Sequence, residues 1–186
     1  MFSIPLEGPA VEPVSLADMK AYLRVDDDAE DDLITGLIKA ARLIVEAVSR
    51  RILIAQNWRV MLDRWPQDQT VLLPLSPLLS VESVKVFDAS GVSTEVTIDS
   101  IESDLSSDPP RLIVRSAPNP GRARNGIAID VRVGYGDSPD SVPATLRLAI
   151  KIVVAHWFEN RGDVAGDQVL PAEALALIAP FQRARL

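Results

Sequence analysis

Apolar residues recur at two different spacings along the chain, and the spacing changes twice. Over residues 15–56, and again after residue 143, apolar positions recur every three or four residues, which is typical of amphipathic helices. Over residues 57–134 they tend to alternate with polar positions, which is typical of strands. The pattern predicts an α+β fold, in which a β segment lies between two helical parts of the chain.

The strongest helical signal follows an acidic run at residues 26–32. Its apolar positions continue for about four turns and comprise Leu33, Ile34, Leu37, Ile38, Ala41, Ile44, Val45 and Val48. Lys39, Arg42 and Glu46 lie off this stripe. Ser15 precedes a shorter helix over residues 16–24 and is a suitable N-cap, because its hydroxyl can accept an unpaired backbone N–H.

The C-terminal part contains two further helices. Residues 144–160 are apolar on more than one side, so this helix is expected in the centre of a bundle or at a subunit interface. Pro171 opens a short last helix over residues 172–179, and a basic tail follows.

The middle of the chain contains six predicted short strands separated by proline and glycine turns. They cover residues 57–63, 71–74, 81–88, 92–98, 111–115 and 127–133. Such close spacing favours a small antiparallel sheet, sandwich or open barrel. The expected divisions are an N-terminal arm (1–14), a helical part (15–56), a β-rich insertion (57–134) and C-terminal helices with a tail (143–186).

Composition removes much catalytic chemistry. The 186 residues include no cysteine and one histidine, so disulfides, thiolate zinc sites and paired imidazoles are excluded. His156 has no recognisable nucleophile motif around it and is expected to be structural. The acidic run does not match an EF-hand calcium loop. If the loop began at Asp26, its sixth and twelfth positions would need glycine and glutamate, but they are Asp31 and Leu37. We therefore expect no enzyme activity, no metal and no cofactor, and no segment predicts secretion or a membrane span.

Charge is distributed unevenly along the chain. The net charge is −7, from 19 basic and 26 acidic residues, which argues against a dedicated nucleic-acid reader. Residues 7–32 alone hold nine acids against Lys20 and Arg24, so this segment carries the whole excess. The β region contains a cluster of five basic residues: Arg111, Arg115, Arg122, Arg124 and Arg132. These arginines could bind nucleic-acid phosphates or an acidic partner protein, or they could be ordinary solvated surface residues.

Three groups of motifs occur in a characteristic order. The first is the segment PVSLADMKAYLRV at 13–25, before the acidic run and the long helix. The second comprises Trp-Pro at 65–66, Leu-Pro at 73–74 and VESV at 81–84. The third comprises Gly-Tyr-Gly at 134–136, AHWFENR at 155–161 and Leu-Pro at 170–171. In this order and spacing the chain resembles the head–tail connector (adaptor) proteins of tailed bacteriophages and phage-like gene transfer agents.

The resemblance implies a structural protein without catalysis, in which the N- and C-terminal helices form a small bundle and an antiparallel β-sheet or sandwich segment is inserted between them. Such proteins form a ring, usually of twelve subunits, beneath the portal, where they extend the DNA channel and offer a platform to the next tail-side connector or stopper protein. It implies assembly in the cytoplasm, incorporation at the head–tail junction, and DNA that passes without specific binding. An acidic first helical region facing the channel would repel that DNA.

Within this frame the sequence suggests three sets of contact residues. The candidates for portal docking lie in the last helix and tail: Pro171, Leu175, Leu177, Ile178, Phe181, Arg183 and Arg185. The candidates for the tail-side contact are the five arginines of the β region. The candidates for packing between subunits lie on the penultimate helix: Leu146, Ile150, Val153, Trp157 and Phe158. The alternative is a nucleic-acid-binding packaging or regulatory protein that uses the arginine-rich β region.

Overall fold

The structure, a computed structural model, describes residues 1–160 and 170–182. Its strands are β1 (Phe2–Pro5), β2 (Gln56–Leu62), β3 (Thr70–Leu72), β4 (Leu78–Phe87), β5 (Ser93–Glu95), β6 (Ile101–Asp104), β7 (Arg111–Val114) and β8 (Ile127–Val133). Its α-helices are α1 (Leu16–Leu23), α2 (Asp31–Ser49), α3 (Ala144–Glu159) and α4 (Ala172–Ile178), with single 3₁₀ turns at Ile98–Ser100, Pro139–Ser141 and Ala179–Phe181. The predicted α+β class is confirmed. None of the helices in the described ranges is long and apolar enough to cross a membrane.

The chain divides into two compact units. A β unit comprises Met1–Ala10 and Ala55–Tyr135, and a helical unit comprises Val11–Ile54 and Gly136–Leu186. The β unit therefore takes its first strand from the extreme N-terminus and the other seven from the middle of the chain.

The β unit contains two antiparallel sheets. The larger has the strand order β1-β2-β8-β4-β5, and the smaller has the order β3-β7-β6. Strand β8 lies in the centre of the larger sheet, and its side chains at Ile127, Ile129, Val131 and Val133 have no exposed surface. The period-two pattern of this segment predicted its bounds because each alternate residue faces the same apolar side.

Two strands were not predicted. Strand β1 lies in the segment interpreted as an arm, and it pairs with β2 from Phe2 opposite Met61 to Pro5 opposite Trp58. Strand β6 carries only Ile101 as an apolar residue and pairs with β7. Both are four-residue edge strands, and such strands are stabilised by the neighbour they pair with rather than by a hydrophobic pattern of their own.

The helical unit is organised around α3, which packs against α1, α2 and α4. Helix α2 buries Ile34, Ile38, Ala41 and Val45, as its apolar stripe predicted. Helix α1 begins as predicted, since the hydroxyl of Ser15 accepts the Asp18 N–H at 3.0 Å.

Arg42 of α2 is buried, although it lies off the apolar stripe of this helix and would be expected at the surface. Arg42 is only 3% exposed. Its Nε lies 2.7 Å from Glu12 Oε2 and its Nη1 lies 2.9 Å from Glu46 Oε2. Glu46 also accepts the Leu53 N–H at 2.9 Å. Buried guanidinium and carboxylate groups are tolerated because each is paired, so this cluster joins the start of the unit to α2 and to the chain leaving it.

Candidate assembly surfaces

Helix α3 carries the residues proposed for packing between subunits. Leu146, Ile150 and Val153 have no exposed surface within the subunit, because they face the other helices of the bundle. Trp157 and Phe158, near the end of α3, are half-buried and retain surface. We therefore restrict the proposal for this helix to the two aromatic residues, since a side chain with no exposed surface has none to offer a neighbouring subunit.

The last helix and the turn after it carry the residues proposed for portal docking. Ile178 has no exposed surface and belongs to the core of the helical unit. Leu175 is 41% exposed, while Pro171, Leu177 and Phe181 are half-buried. The Phe181 carbonyl accepts the Arg51 Nε–H at 3.2 Å, which fixes the turn after α4. Arg183 and Arg185 lie outside the described residues.

Two of the five candidate arginines are neutralised on the smaller sheet. Arg111 Nη2 lies 3.0 Å from Asp104 Oδ2, and Arg115 Nη2 lies 2.8 Å from Glu102 Oε2. The first pair joins β7 to β6, the second joins the residue after β7 to β6, and both pairs are solvent-exposed. These pairs leave little net positive charge on this sheet.

The larger sheet carries a stronger ion pair. Arg59 donates to both oxygens of Asp130, at 2.6 and 2.8 Å, and the Ser83 hydroxyl donates to the same carboxylate at 3.1 Å. The pKa of Asp130 is lowered, chiefly because Arg59 hydrogen-bonds the charged form. Arg132, the third candidate arginine, is half-buried on β8 and is also engaged within the subunit.

Arg122 and Arg124, the remaining candidates, lie in the loop of residues 118–126, which we call the arginine loop. Four hydrogen bonds fix it. The Trp65 indole donates to the Pro118 carbonyl at 3.0 Å, and the Asn125 N–H donates to Asp63 Oδ1 at 2.8 Å. The Gly121 N–H donates to the Phe87 carbonyl at 2.9 Å, and the Phe87 N–H donates to the Gly126 carbonyl at 2.8 Å.

Close packing explains the two glycines of this loop. A Cβ at residue 121 would lie 2.5 Å from the Ala89 backbone nitrogen, and one at residue 126 would lie 2.5 Å from the Pro120 side chain. Arg122 stacks with its guanidinium carbon 5.1 Å from the centre of the Phe87 ring.

Arg64 extends this cationic surface. It lines an open cleft of about 480 Å³ together with Asp63, Asn119, Pro120, Arg122 and Ala123. Within residues 1–160 and 170–182, neither Arg64 nor Arg124 forms an ion pair, and both side chains are exposed. The sequence analysis missed Arg64 because it is more than fifty residues from the loop along the chain.

The acidic run forms the second charged surface, which we call the acidic turn, residues 26–32. Lys20 Nζ lies 2.6 Å from Asp28 Oδ1 and 2.7 Å from Asp31 Oδ1, and its hydrogen bond lowers the pKa of Asp28. Asp26, Asp27 and Asp32 are exposed and form no ion pair among the described residues. Among those residues there is also no group of three or more histidine, cysteine or acidic side chains that could hold a metal ion.

A family model provides the deciding comparison. The model described as "Head completion protein" matches residues 12–166, which is most of the chain and includes both units. The chain belongs to the head completion protein family.

Solved structures agree with this assignment. The head completion chain is similar to a protein of the "Neck of empty GTA particle computed with C6 symmetry", with 25% identity, a TM-score of 0.85, and coverage of 100% of this chain and 97% of the other. It is similar to a protein in the "Virion of native gene transfer agent (GTA) particle", with 25% identity, a TM-score of 0.86 and the same coverage. A third match, from the "Neck of native GTA particle computed with C12 symmetry", has 24% identity, a TM-score of 0.75 and the same coverage, and supports the fold. The comparison with curated proteins gives no match.

The resemblance to the head–tail connector family is thereby confirmed. The family model and the solved structures match the chain over most of its length rather than at one site.

Proposed function

We propose that this chain is a structural head–tail adaptor that assembles as a ring in the neck of a phage-like particle. The observation that carries the proposal is the full-length likeness, at 25% identity, to a protein of a gene transfer agent neck. The family match supports the same role, and the matches give no support to the nucleic-acid-binding alternative.

The ring is supported by the symmetry of the similar structures. Two of them were computed with sixfold and twelvefold symmetry. We propose a dodecamer, in which Trp157 and Phe158 contribute to the contacts between neighbours. Neck proteins of this kind are not usually enzymes, and the role proposed here requires no catalytic step and no cofactor.

The two ends of the ring need different partners. We propose that α4 and the segment after it dock on the portal, because Leu175 offers exposed apolar surface beside the half-buried Leu177 and Phe181. The smaller sheet, which exposes the ion pairs Arg111–Asp104 and Arg115–Glu102, is the candidate for the next tail-side protein. DNA passes through the ring without specific binding. Assembly takes place in the cytoplasm, and the protein then remains at the head–tail junction.

Deletion of the gene in the producing strain tests this role. We expect filled heads and separate tails, counted by electron microscopy, and recovery of joined particles when the wild-type gene is supplied. Joined particles at the wild-type frequency in the deletion strain would refute the adaptor role.

A matched pair of substitutions tests the portal contact. Leu175→Asp should prevent co-assembly with the portal, as should deletion of residues 171–186, whereas Leu148→Asp, on α3, should not. Leu148 is 40% exposed, so the two positions have nearly equal exposure in the subunit. Equal portal binding by both variants would reject α4 as the docking element.

A further inference from the structure

The arginine loop is a fixed cationic surface, and no carboxylate in the described part of the chain pairs with its arginines. Its four hydrogen bonds join residues 118–126 to Asp63 and Trp65, which follow β2, and to Phe87 at the end of β4. A preorganised loop loses little conformational freedom when a partner binds, so its charges contribute more to association than those of a mobile loop.

Two acids beside the loop, Asp63 and Asp88, do not neutralise it. Asp63 Oδ1 accepts the Asn125 N–H at 2.8 Å. Asp88 Oδ1 accepts the backbone N–H groups of Ser90 and Val92, each at 2.9 Å. Each carboxylate thus fixes a turn, and neither forms an ion pair with an arginine among the described residues.

The acidic turn has the complementary charge, and part of that charge is uncompensated among the described residues. Residues 20–32 hold six acids against Lys20 and Arg24. Lys20 already contacts Asp28 and Asp31, so the charges of Asp26, Asp27 and Asp32 have no cation beside them in the described part of the subunit.

We propose that, in the assembled ring, the arginine loop of each subunit binds the acidic turn of a second copy of this chain. The inference rests on the ring proposed above. A cyclic ring is built from head-to-tail contacts between two different surfaces, and every copy must carry both. The arginine loop and the acidic turn meet that requirement, because they have opposite charge and occur once each in every chain.

A second copy fits the loop better than DNA does. A phosphate backbone is bound by an extended cationic surface. In this chain Asp104 and Glu102 neutralise Arg111 and Arg115. The cationic surface at the loop therefore consists of Arg64, Arg122 and Arg124. A compact group of three cations instead matches a short acidic segment, and opposite charges also steer the two surfaces together.

Charge reversal provides the test. The variant Arg122→Glu with Arg124→Glu, and separately the variant Asp26→Lys with Asp27→Lys, should lose the ring at protein concentrations where the wild type is assembled, as measured by mass photometry and negative-stain microscopy. An equimolar mixture of the two variants should recover rings with an even number of subunits. In alternating copies the new glutamates of one variant face the new lysines of the other, and the remaining contacts keep the wild-type arginines and aspartates. The chain carrying all four substitutions keeps the net charge of the wild type and should also form rings.

A control separates this effect from a general change in charge. Arg111→Glu with Arg115→Glu changes the net charge by the same amount, within the same unit, and should leave the ring intact. Circular dichroism melting of each variant identifies any that fail to fold, and the recovery in the mixture can occur only between folded chains.

Each result has a distinct meaning. If the wild-type protein forms no ring under any condition, the ring itself is refuted. If the wild type forms rings and the Arg122/Arg124 variant does too, the contact proposed here is refuted while the adaptor role stands. If that variant forms rings but loses a tail-side protein or DNA, the loop serves that partner instead. If both variants dissociate and neither their mixture nor the fourfold variant recovers, the two surfaces do not meet.

Discussion

Arginines have opposite surroundings in the two units. In the helical unit, Arg42 is buried and is bound by carboxylates from Glu12 and Glu46. In the β unit, Arg64 and Arg124 are exposed and have no carboxylate partner in the described part of the chain. The β unit itself holds eleven acidic residues against eight basic ones, so a shortage of acids does not explain the difference.

The contrast shows that an arginine's role can be inferred from whether a carboxylate of the same subunit neutralises it. A guanidinium neutralised inside the subunit contributes to folding, since removing one member of a buried pair leaves the other uncompensated. A guanidinium that the subunit leaves alone, on a loop fixed by other bonds, is available for association. Arg59 lies between these cases, because it is partly exposed and yet binds both oxygens of Asp130.

Among these arginines, substitution of the buried Arg42 is expected to have the largest effect on the free energy of unfolding. Arg42→Ala leaves the Glu46 carboxylate, whose side chain is 9% exposed, without its cation. We expect a loss of about 3–5 kcal/mol in the free energy of unfolding, measured by urea denaturation at pH 7. Lys39→Ala, at an exposed position of α2, should change it by less than about 0.5 kcal/mol. A loss below about 1 kcal/mol for Arg42→Ala would contradict the structural role of this cluster.

A smaller effect is expected at the sheet. Asp130→Asn removes the charge that Arg59 binds but keeps the shape of the side chain. Because the Arg59 side chain is 37% exposed, solvent screening reduces the effect of this pair to about 1–2 kcal/mol. Ser83→Ala removes only one weaker donor to the same carboxylate and should cost less. Equal losses for the two variants would show that the ion pair adds little.

The pH dependence should differ in sign between the two units. The folded-state pKa of Asp130 is lowered by Arg59, so its stabilisation is present above the ordinary value and is lost as the pH falls through the folded value. Burial raises the pKa of Glu46, more than Arg42 and the Leu53 N–H lower it, so this group makes the fold more stable as the pH falls through that raised value. Denaturation of the wild type, Asp130→Asn and Glu46→Gln across the acid range measures both slopes. A common sign for the two differences would refute this assignment.

The smallest effect is expected at the exposed pair of the smaller sheet. The Arg115 side chain is 73% exposed and that of Glu102 is 60% exposed. Arg115→Ala should therefore change the free energy of unfolding by no more than about 0.5 kcal/mol in a thermal or urea melt. A loss comparable to that of Asp130→Asn would break the proposed ranking by exposure.

The elements that sequence predicts well are those with a long periodic pattern. Strand β8 and helix α2 bury one face over seven and nineteen residues, so their burial is encoded locally. Strand β1 is not predictable in this way, because Phe2–Pro5 becomes a strand through pairing with β2, more than fifty residues later. The burial of Arg42 has the same origin, since Glu12 reaches it from a distance of thirty residues along the chain.

The candidate surfaces follow the same rule. The two charged segments are visible in the sequence because their residues are neighbours in the chain. The neutralisation of Arg111 and Arg115 by Asp104 and Glu102, and the addition of Arg64 to the arginine loop, depend on contacts that only the fold creates. The sequence therefore identifies which segments are charged, and the fold determines which charges remain for a partner.

The most direct test of the adaptor role is the assembly state of the purified protein. Negative-stain electron microscopy of the protein, alone and with the portal protein, should show closed rings. We expect sixfold or twelvefold symmetry, because the similar neck structures were computed with these symmetries. Monomers under both conditions, from a protein shown to be folded by circular dichroism, would contradict the account.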